Sequence, residues 1–398
     1  ISATGTATIN TSVIEDYLNF GSDIVIQGAD IILNDSITKT SGADATLTFR
    51  SQGATQHAAR LIVNKNIRST SNKLNLILWS DYDNNNTGGI QTNMIDIITN
   101  GGHVWMGGSS STSGTSTWNG LTVGDGPSVA NVSSNWNSLR MWADIITDGG
   151  DIFIWADETI VSNGGSSGLA GVEFRTDRNN NLNADTGAII LVSDDFHGEA
   201  NLATTGNLYV APHDGAYGGN VDWNHDNGSP NINLSGTFES LNIKDFSNLG
   251  GFTLGSYEGM TGIDFTNSSN VTVNETIEIN GSIAVHAGSI NINEDLTTSA
   301  IGAGILLKSN ELSSPVNATD GLIYLHTNKN LTTNGGDVIL WSNTTNRATG
   351  QANNEIILDG SNTINCFCVP VVNQAIPAGN AQIVGGGRQD DARGRRVQ

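Results

Sequence analysis

The sequence predicts an all-β protein built as a single right-handed parallel β-helix, a solenoid with loop insertions. Three observations carry that prediction. The first is self-similarity. The run Ile145-Ile-Thr-Asp-Gly-Gly-Asp-Ile-Phe-Ile-Trp-Ala-Asp157 returns as Leu331-Thr-Thr-Asn-Gly-Gly-Asp-Val-Ile-Leu-Trp-Ser-Asn343 and as Ile97-Ile-Thr-Asn-Gly-Gly-His-Val-Trp-Met106. Leu74-Asn-Leu-Ile-Leu-Trp-Ser-Asp81 repeats it without the glycines, and Thr186-Gly and Thr205-Gly open weaker copies. A reused supersecondary unit of this kind cannot bury its apolar face alone and must stack on its neighbours. The second is pattern: apolar residues come in bursts of three to five, such as Ile24-Val-Ile, Leu76-Ile-Leu and Ile305-Leu-Leu, each bounded by Gly, Asn, Asp or Ser. Such bursts are short strands rather than helices. The third is composition, with 48 Gly against 6 Pro and only 14% charged residues, which is a turn-rich β chemistry.

In chain order, Ser12 to Phe20 is the only stretch with a helical period. The chain up to Ser80 otherwise reads as regular coils, from Asp23-Ile-Val-Ile-Gln-Gly-Ala-Asp30 onwards. In such a coil three short strands and their turns pair with the coils above and below, inward residues stack as aliphatic ladders, and corner glycines supply positive φ. Insertions are expected at Asp81 to Gln91, Gly107 to Asn137, Asp177 to Thr186 and Ala211 to Asn231, where loops would carry any specificity. The interval from Lys308-Ser-Asn310 to His326-Thr-Asn328 is longer than the one from there to Trp341-Ser-Asn343, so the repeat is irregular. About fifteen or more coils would follow, roughly 70 to 80 Å at ~4.8 Å each. The repeat stops after Ile364, so residues 1–365 are assigned to the shaft and 366–398 to a non-repeat C-terminal extension.

The phrases Gly-x-Asp-Ile-x-Ile, Ile32-Leu-Asn-Asp-Ser-Ile37, Ala45-Thr-Leu-Thr-Phe-Arg50 and Gly-Gly-Asp-Val-Ile-Leu-Trp-Ser together resemble the shaft repeats of filamentous haemagglutinin-like adhesins of two-partner and related secretion systems. The resemblance spans roughly residues 20 to 365 and lacks the Asn-Pro-Asn-Leu signature of that family's secretion domain. It implies an extracellular or cell-surface shaft without enzymatic activity.

Charge narrows the partners. The formal net charge is −22, and four arginines sit in the last eleven residues, so the body is more acidic still. Such a surface repels phosphate, which argues against nucleic acid and anionic membranes, and no apolar run is long enough to span a bilayer. Divalent cations are tolerated. Three insertions open with alternating oxygen donors: Asp81, Asp83, Asn85 and Thr87; Asp177, Asn179, Asn181, Asn183 and Asp185; Asp222, Asn224 and Asp226. A curling loop with a donor at every second position delivers hard oxygens to one centre, which is what calcium requires; the same residues are also those of ordinary turns. No other cofactor is called for.

Asp194 to Asp226 gathers Asp194, Asp195, His197, His213, Asp214, Asp222, His225 and Asp226 with Tyr217 and Trp223. Folded over the shaft these residues would form a carboxylate groove, the minimum for glycoside chemistry; solvated turn residues are the plainer reading. Among the eight tryptophans, Trp79, Trp155 and Trp341 belong to the repeat and are expected to pack at a coil corner. Trp118, Trp136 and Trp223 lie in insertions and are candidate sugar contacts. Cys366 and Cys368, the only cysteines, stand at i and i+2, too wide on a strand for a relaxed disulfide. The expected function is an extracellular structural or adhesive protein whose shaft projects or self-associates end to end, with glycans or cell-surface ligands as partners. The alternative is a β-helical polysaccharide lyase or glycoside hydrolase.

Overall fold

A computed structural model describes residues 7–52, 60–85, 88–129, 138–157, 172–174, 180–194, 196–213, 220–226, 229–233, 241–243, 246–265, 270–309, 321–342, 356–358, 361–367 and 381–384. The chain is mostly β, in long parallel sheets wound as a β-solenoid rather than closed as a barrel. The first sheet holds twelve parallel strands in strict chain order, from Ile24–Gly28 and Ala45–Ser51 through Leu74–Trp79, Val104–Gly107, Ile152–Trp155 and Ile189–Val192 to Ala381–Val384. Two shorter strands per turn of the chain line the other sides. They share one large sheet as far as the long strand Phe196–Thr204, which runs through both sides; beyond it one side continues in that sheet to Ile356–Leu358, and the other forms a separate four-stranded sheet carrying Ile277–Ile279 and Thr363–Phe367.

Register explains why the sequence folds this way. Leu47, Leu76, Val104, Ile152, Ile189 and Leu208 stand directly above one another in the first sheet. All six are 0% exposed, and the ladder continues through Phe252, Ile283, Ile305 and Val338. Each such side chain contributes about 1.5–3 kcal/mol on burial. A slip of one residue anywhere would turn a whole row outward, so the ladder holds the register.

The repeated Thr-Asn/Asp-Gly-Gly corner has a division of labour. The threonine is buried, and its hydroxyl donates across the turn: Thr99 to the Gly102 carbonyl, Thr147 to that of Gly150, Thr333 to that of Gly336. After Thr99 and Thr147 the next two residues take the left-handed conformation, as in Asp148 (φ 53°) and Gly149 (φ 105°), whereas after Thr333 only Gly335 (φ 81°) does. The second glycine serves a different purpose, close approach. A Cβ on Gly150 would lie 2.0 Å from the Gly102 carbonyl oxygen, one on Gly187 2.2 Å from that of Gly150, and one on Gly206 2.4 Å from that of Gly187. These glycines form a column down one corner where successive turns touch backbone to backbone.

Lys39 heads the buried hydroxyl column. It is in register with Ser69, is 0% exposed, and its ammonium donates to the carbonyls of Ser41 and Ser71 at 2.7 Å each. Burial pulls its pKa down, while Asp44 opposes the shift.

The expected helix exists as Thr11–Asn19, capped by Asn10, whose side-chain oxygen accepts from the Ser12 N–H at 3.0 Å. Ile14 and Leu18, one turn apart, are buried against the first level of the shaft. The helix also closes part of the sheet edge. Glu15 accepts from the Thr38 N–H at 2.7 Å, and the Asn19 side-chain oxygen accepts from the N–H groups of Thr40 and Ser41. Backbone donors of the first strand Ile37–Lys39 and the turn after it thus meet side chains instead of a further strand.

Three details differ from expectation. Lys308 pairs with Trp341 in one ladder, while His326 follows the strand Ile323–Leu325 on another side. The two unequal intervals were therefore two sides of one turn. Turns range from the short step between Ile189 and Leu208 to the long one between Val104 and Ile152, because insertions consume chain. Twelve strands span roughly 53 Å at ~4.8 Å each, short of the expected length. Second, Thr363–Phe367 straddles the boundary placed at 365/366, and Ala381–Val384 adds the twelfth strand by pairing with Val338–Trp341. Third, one level is not a uniform coil. Ser229–Asn233 runs antiparallel to both Asn220–Asp226 and Leu241–Ile243, and the three lie between Phe196–Thr204 and Asn270–Val273, placing three strands where the first sheet has one.

Candidate functional site

The outer face of the first sheet is where the structure departs most from a plain shaft. In four successive strands the outward positions are apolar as well: Ile77 and Trp79, Trp105, Phe153 and Trp155, Ile190 and Val192. All are buried, in a second hydrophobic core separate from the one inside the solenoid. Two segments cover them. One is the hairpin Thr115–Trp118/Leu121–Gly124, turned by Asn119 (φ 48°) and Gly120 (φ 75°), the Asn-Gly pair that a tight two-residue turn favours. The other is the stretch after Gly251–Leu254 that brings Tyr257, Met260 and Phe265.

The two segments meet although they are far apart in sequence. The Trp118 indole N–H donates to the Tyr257 hydroxyl at 2.9 Å, Ser116 donates to the Thr261 carbonyl at 3.0 Å, and the Thr261 N–H donates to the Thr117 carbonyl at 3.0 Å. Burial pushes the Tyr257 pKa up to about 12. Trp118 also packs at 5.6 Å on Phe153 and edge-on at 5.5 Å to His103. At the other end Trp79 donates to the Ser109 hydroxyl at 2.8 Å and makes an edge contact with Tyr82, while the Arg50 guanidinium lies over both rings at 4.7 and 5.0 Å. The pair of segments is a strap laid along several levels of the shaft.

This arrangement corrects the reading of the tryptophans. Trp118 and Trp223, read as sugar contacts, are both 0% exposed. Trp118 is in the strap core; Trp223 points into the main core, edge-on to Phe246 and Phe252. Trp79 and Trp155 pack under the strap rather than at a corner. Trp341 is the exposed one, at 45%, with the Lys308 ammonium 5.5 Å from its ring. Trp136 lies outside the described residues. The signal that the sequence offered was the loss of alternation: Ile-Phe-Ile-Trp and Ile-Ile-Leu-Val are continuous apolar runs, which strands show when both faces are buried.

The candidate calcium residues are placed as follows. Asp81 is buried with φ 48°, and its carboxylate accepts from the Asn85 N–H at 2.9 Å. Asn85 donates to Asp83 at 3.0 Å, and Asn84 donates to the Ser110 carbonyl at 2.7 Å. The turn is thus closed by side-chain bonds of the Asx type and stitched to the start of the strap. Asp177, Asn179 and Thr87 lie outside the described residues. Asn181 and Asp185 belong to the strand Asn180–Asp185, roughly 13 Å apart along an extended chain rather than curled about one centre. Asn181 there bonds to Asp144 and Asn201 on neighbouring turns. Among the described residues no group of three or more His, Cys, Asp or Glu is gathered for a metal ion.

Of the Asp194 to Asp226 constellation, Asp194 and His213 do come together: Asp194 accepts from the His213 N–H at 2.6 Å. The His213 ring accepts from the Trp155 indole N–H at 2.8 Å and stands 4.0 Å from Asp157. Asp195, Asp214 and Tyr217 lie outside the described residues, as do the side chains of His197, Asp222, Asn224, His225 and Asp226. Those of Cys366 and Cys368 do too.

No family model, curated protein or solved structure matches the chain. Among the described residues no helix is long and apolar enough to cross a membrane.

Proposed function

We propose that this chain is the shaft of an extracellular structural or adhesive protein, a single right-handed parallel β-helix similar to the filamentous haemagglutinin-like adhesins, that projects from a cell or joins end to end. It acts mechanically and catalyses nothing. The observation that carries this is the twelve-strand parallel sheet with its continuous buried apolar ladder. Almost every buried group in such a body meets its neighbour one turn away, so the body resists shear and proteolysis without a ligand. Its acidic surface keeps shafts apart laterally, which leaves the ends and the insertions for contact with glycans, cell-surface ligands or further copies.

Negative-stain electron microscopy of the purified chain tests this. Rods of roughly 53 Å, or fibres with an axial repeat of roughly 58 Å once the spacing between stacked subunits is added, are expected. Compact particles, or release of reducing ends from a glycan panel, would replace the shaft by the enzyme reading. Calcium belongs to the proposal as a local clamp on the turn at Asp81, Asp83 and Asn85. Millimolar calcium then raises Tm and a chelator reverses the rise; an unchanged melting curve removes calcium.

A further inference from the structure

We propose that the strap hairpin Thr115–Gly124 is released by acid, with His103 as the group that senses it. The inference is independent of whether the shaft is an adhesin. It starts from a ladder of acceptors at the corner that precedes the first-sheet strands. Asn75 accepts the His103 N–H through its side-chain oxygen at 3.0 Å, His103 accepts the Asp151 N–H through Nδ1 at 2.9 Å, and Asp151 accepts the Ala188 N–H at 2.7 Å. Each turn therefore presents one side-chain acceptor to the next. His103 alone among these three has an ordinary pKa between pH 5 and 8.

The hairpin is fastened at this rung. Asn119, at its tip, donates to the Asp151 carboxylate at 2.5 Å and stands 3.3 Å from His103 Nδ1, and the adjacent Trp118 packs on the imidazole. A ring whose Nδ1 accepts is neutral and carries its proton on Nε2. Protonation places an N–H on Nδ1 facing the Asp151 N–H, donor against donor, and the ring must leave that rung. Because Trp118 rests on the ring and Asn119 on the rung, the tip loses both supports together.

The charged groups facing His103 are Asp151, whose carboxylate is 3.8 Å from Nδ1, and Lys73 on the preceding turn. Burial pulls the His103 pKa down and Lys73 adds to this, while Asp151 opposes it without reversing the direction. A histidine with a lowered pKa binds its proton more tightly once released. The strap is therefore fully held above the ordinary histidine pKa of about 6.5 and loosens as the pH falls through it, the loss levelling off below the lowered value. Release uncovers the aromatic face around Trp105 and Phe153.

Hydrogen exchange of the full chain at pH 7.5 and 5.5, corrected for intrinsic rates, tests the proposal, with the strand Ile305–Ser309 as internal reference. Opening of the peptides covering 115–124 and 255–265 is expected to rise on the order of tenfold at the lower pH, the penalty of one mismatched buried hydrogen bond. His103→Asn supplies the non-titrating acceptor that Asn75 already uses at the same position. It is expected to keep protection at pH 7.5 and abolish the acid response, while His213→Asn keeps both. Wild-type protection that does not change between the two pH values overturns the proposal, whatever the variants do. So does an acid response that survives His103→Asn or vanishes in His213→Asn.

Discussion

Gly150→Ala is expected to cost about 3 kcal/mol or more and to split the unfolding transition, although it adds a single methyl group. The new Cβ would sit 2.0 Å from the Gly102 carbonyl oxygen and 2.5 Å from its carbon. Both atoms are backbone, so no rotamer change relieves the overlap. Two turns of the solenoid must separate at that corner, and the hydrogen bonds between Val104–Gly107 and Ile152–Trp155 lengthen with them. In a structure held by nearest-neighbour interfaces, weakening one interface uncouples the turns on its two sides. Urea unfolding followed by tryptophan fluorescence would then show two steps in place of one. Gly302→Ala is the control. That glycine has φ 81° but nothing within 4 Å of its Cβ position, so only the left-handed conformation is penalised, by about 1–2 kcal/mol. Equal midpoints for the two variants would mean that the glycine column is not a contact between turns.

This contrast also marks how far the sequence could be read. The Gly-Gly repeat pointed to tight corners with positive φ, and Gly149 and Gly101 have it. The second glycine of each pair was legible as a repeat but not as a contact, because its partner lies a full turn away and turns differ widely in length. The interior of the shaft was legible for a simpler reason. Aliphatic alternation is local, and Leu76-Ile-Leu or Ile305-Leu-Leu announces a buried row without knowing its neighbour. The helix at Thr11–Asn19 was visible in the same way, from Ile14 and Leu18 one turn apart. The strap was not visible. Its two segments, at Trp118 and Tyr257, are joined only in space, and an insertion rich in Gly, Ser and Thr reads as an exposed loop. Among the described residues, the carboxylates and asparagines that suggested calcium stand in two different settings, a closed turn at Asp81 and a strand at Asn181. Composition alone does not distinguish a curling loop from an extended one.

Trp118→Ala is expected to destabilise the chain by about 3–5 kcal/mol, the range for deleting a fully buried large aromatic side chain. The indole fills the junction where the hairpin, the Tyr257 segment and Phe153 meet. Its removal leaves a cavity, strips the Tyr257 hydroxyl of its donor, and takes the ring off His103. The loss is local in origin but long in reach, since the strap core spans the levels from Leu74–Trp79 to Asn207–Ala211 and ties them into one unit. Thermolysin, which cleaves before leucine and valine and so has sites at Leu121 and Val123, is therefore expected to cut between residues 108 and 129 first, with the inner ladder unfolding later. Trp341→Ala provides the comparison. Its ring is 45% exposed against Lys308, and its loss is expected to change stability by about 0.5 kcal/mol or less. The two substitutions also separate packing from recognition. A tryptophan that serves a glycan loses binding on truncation and leaves the melting curve in place, whereas a strap tryptophan does the reverse. If Trp118→Ala melts with the wild type, the strap is an ornament on the shaft, and the aromatic face beneath it is stable without cover.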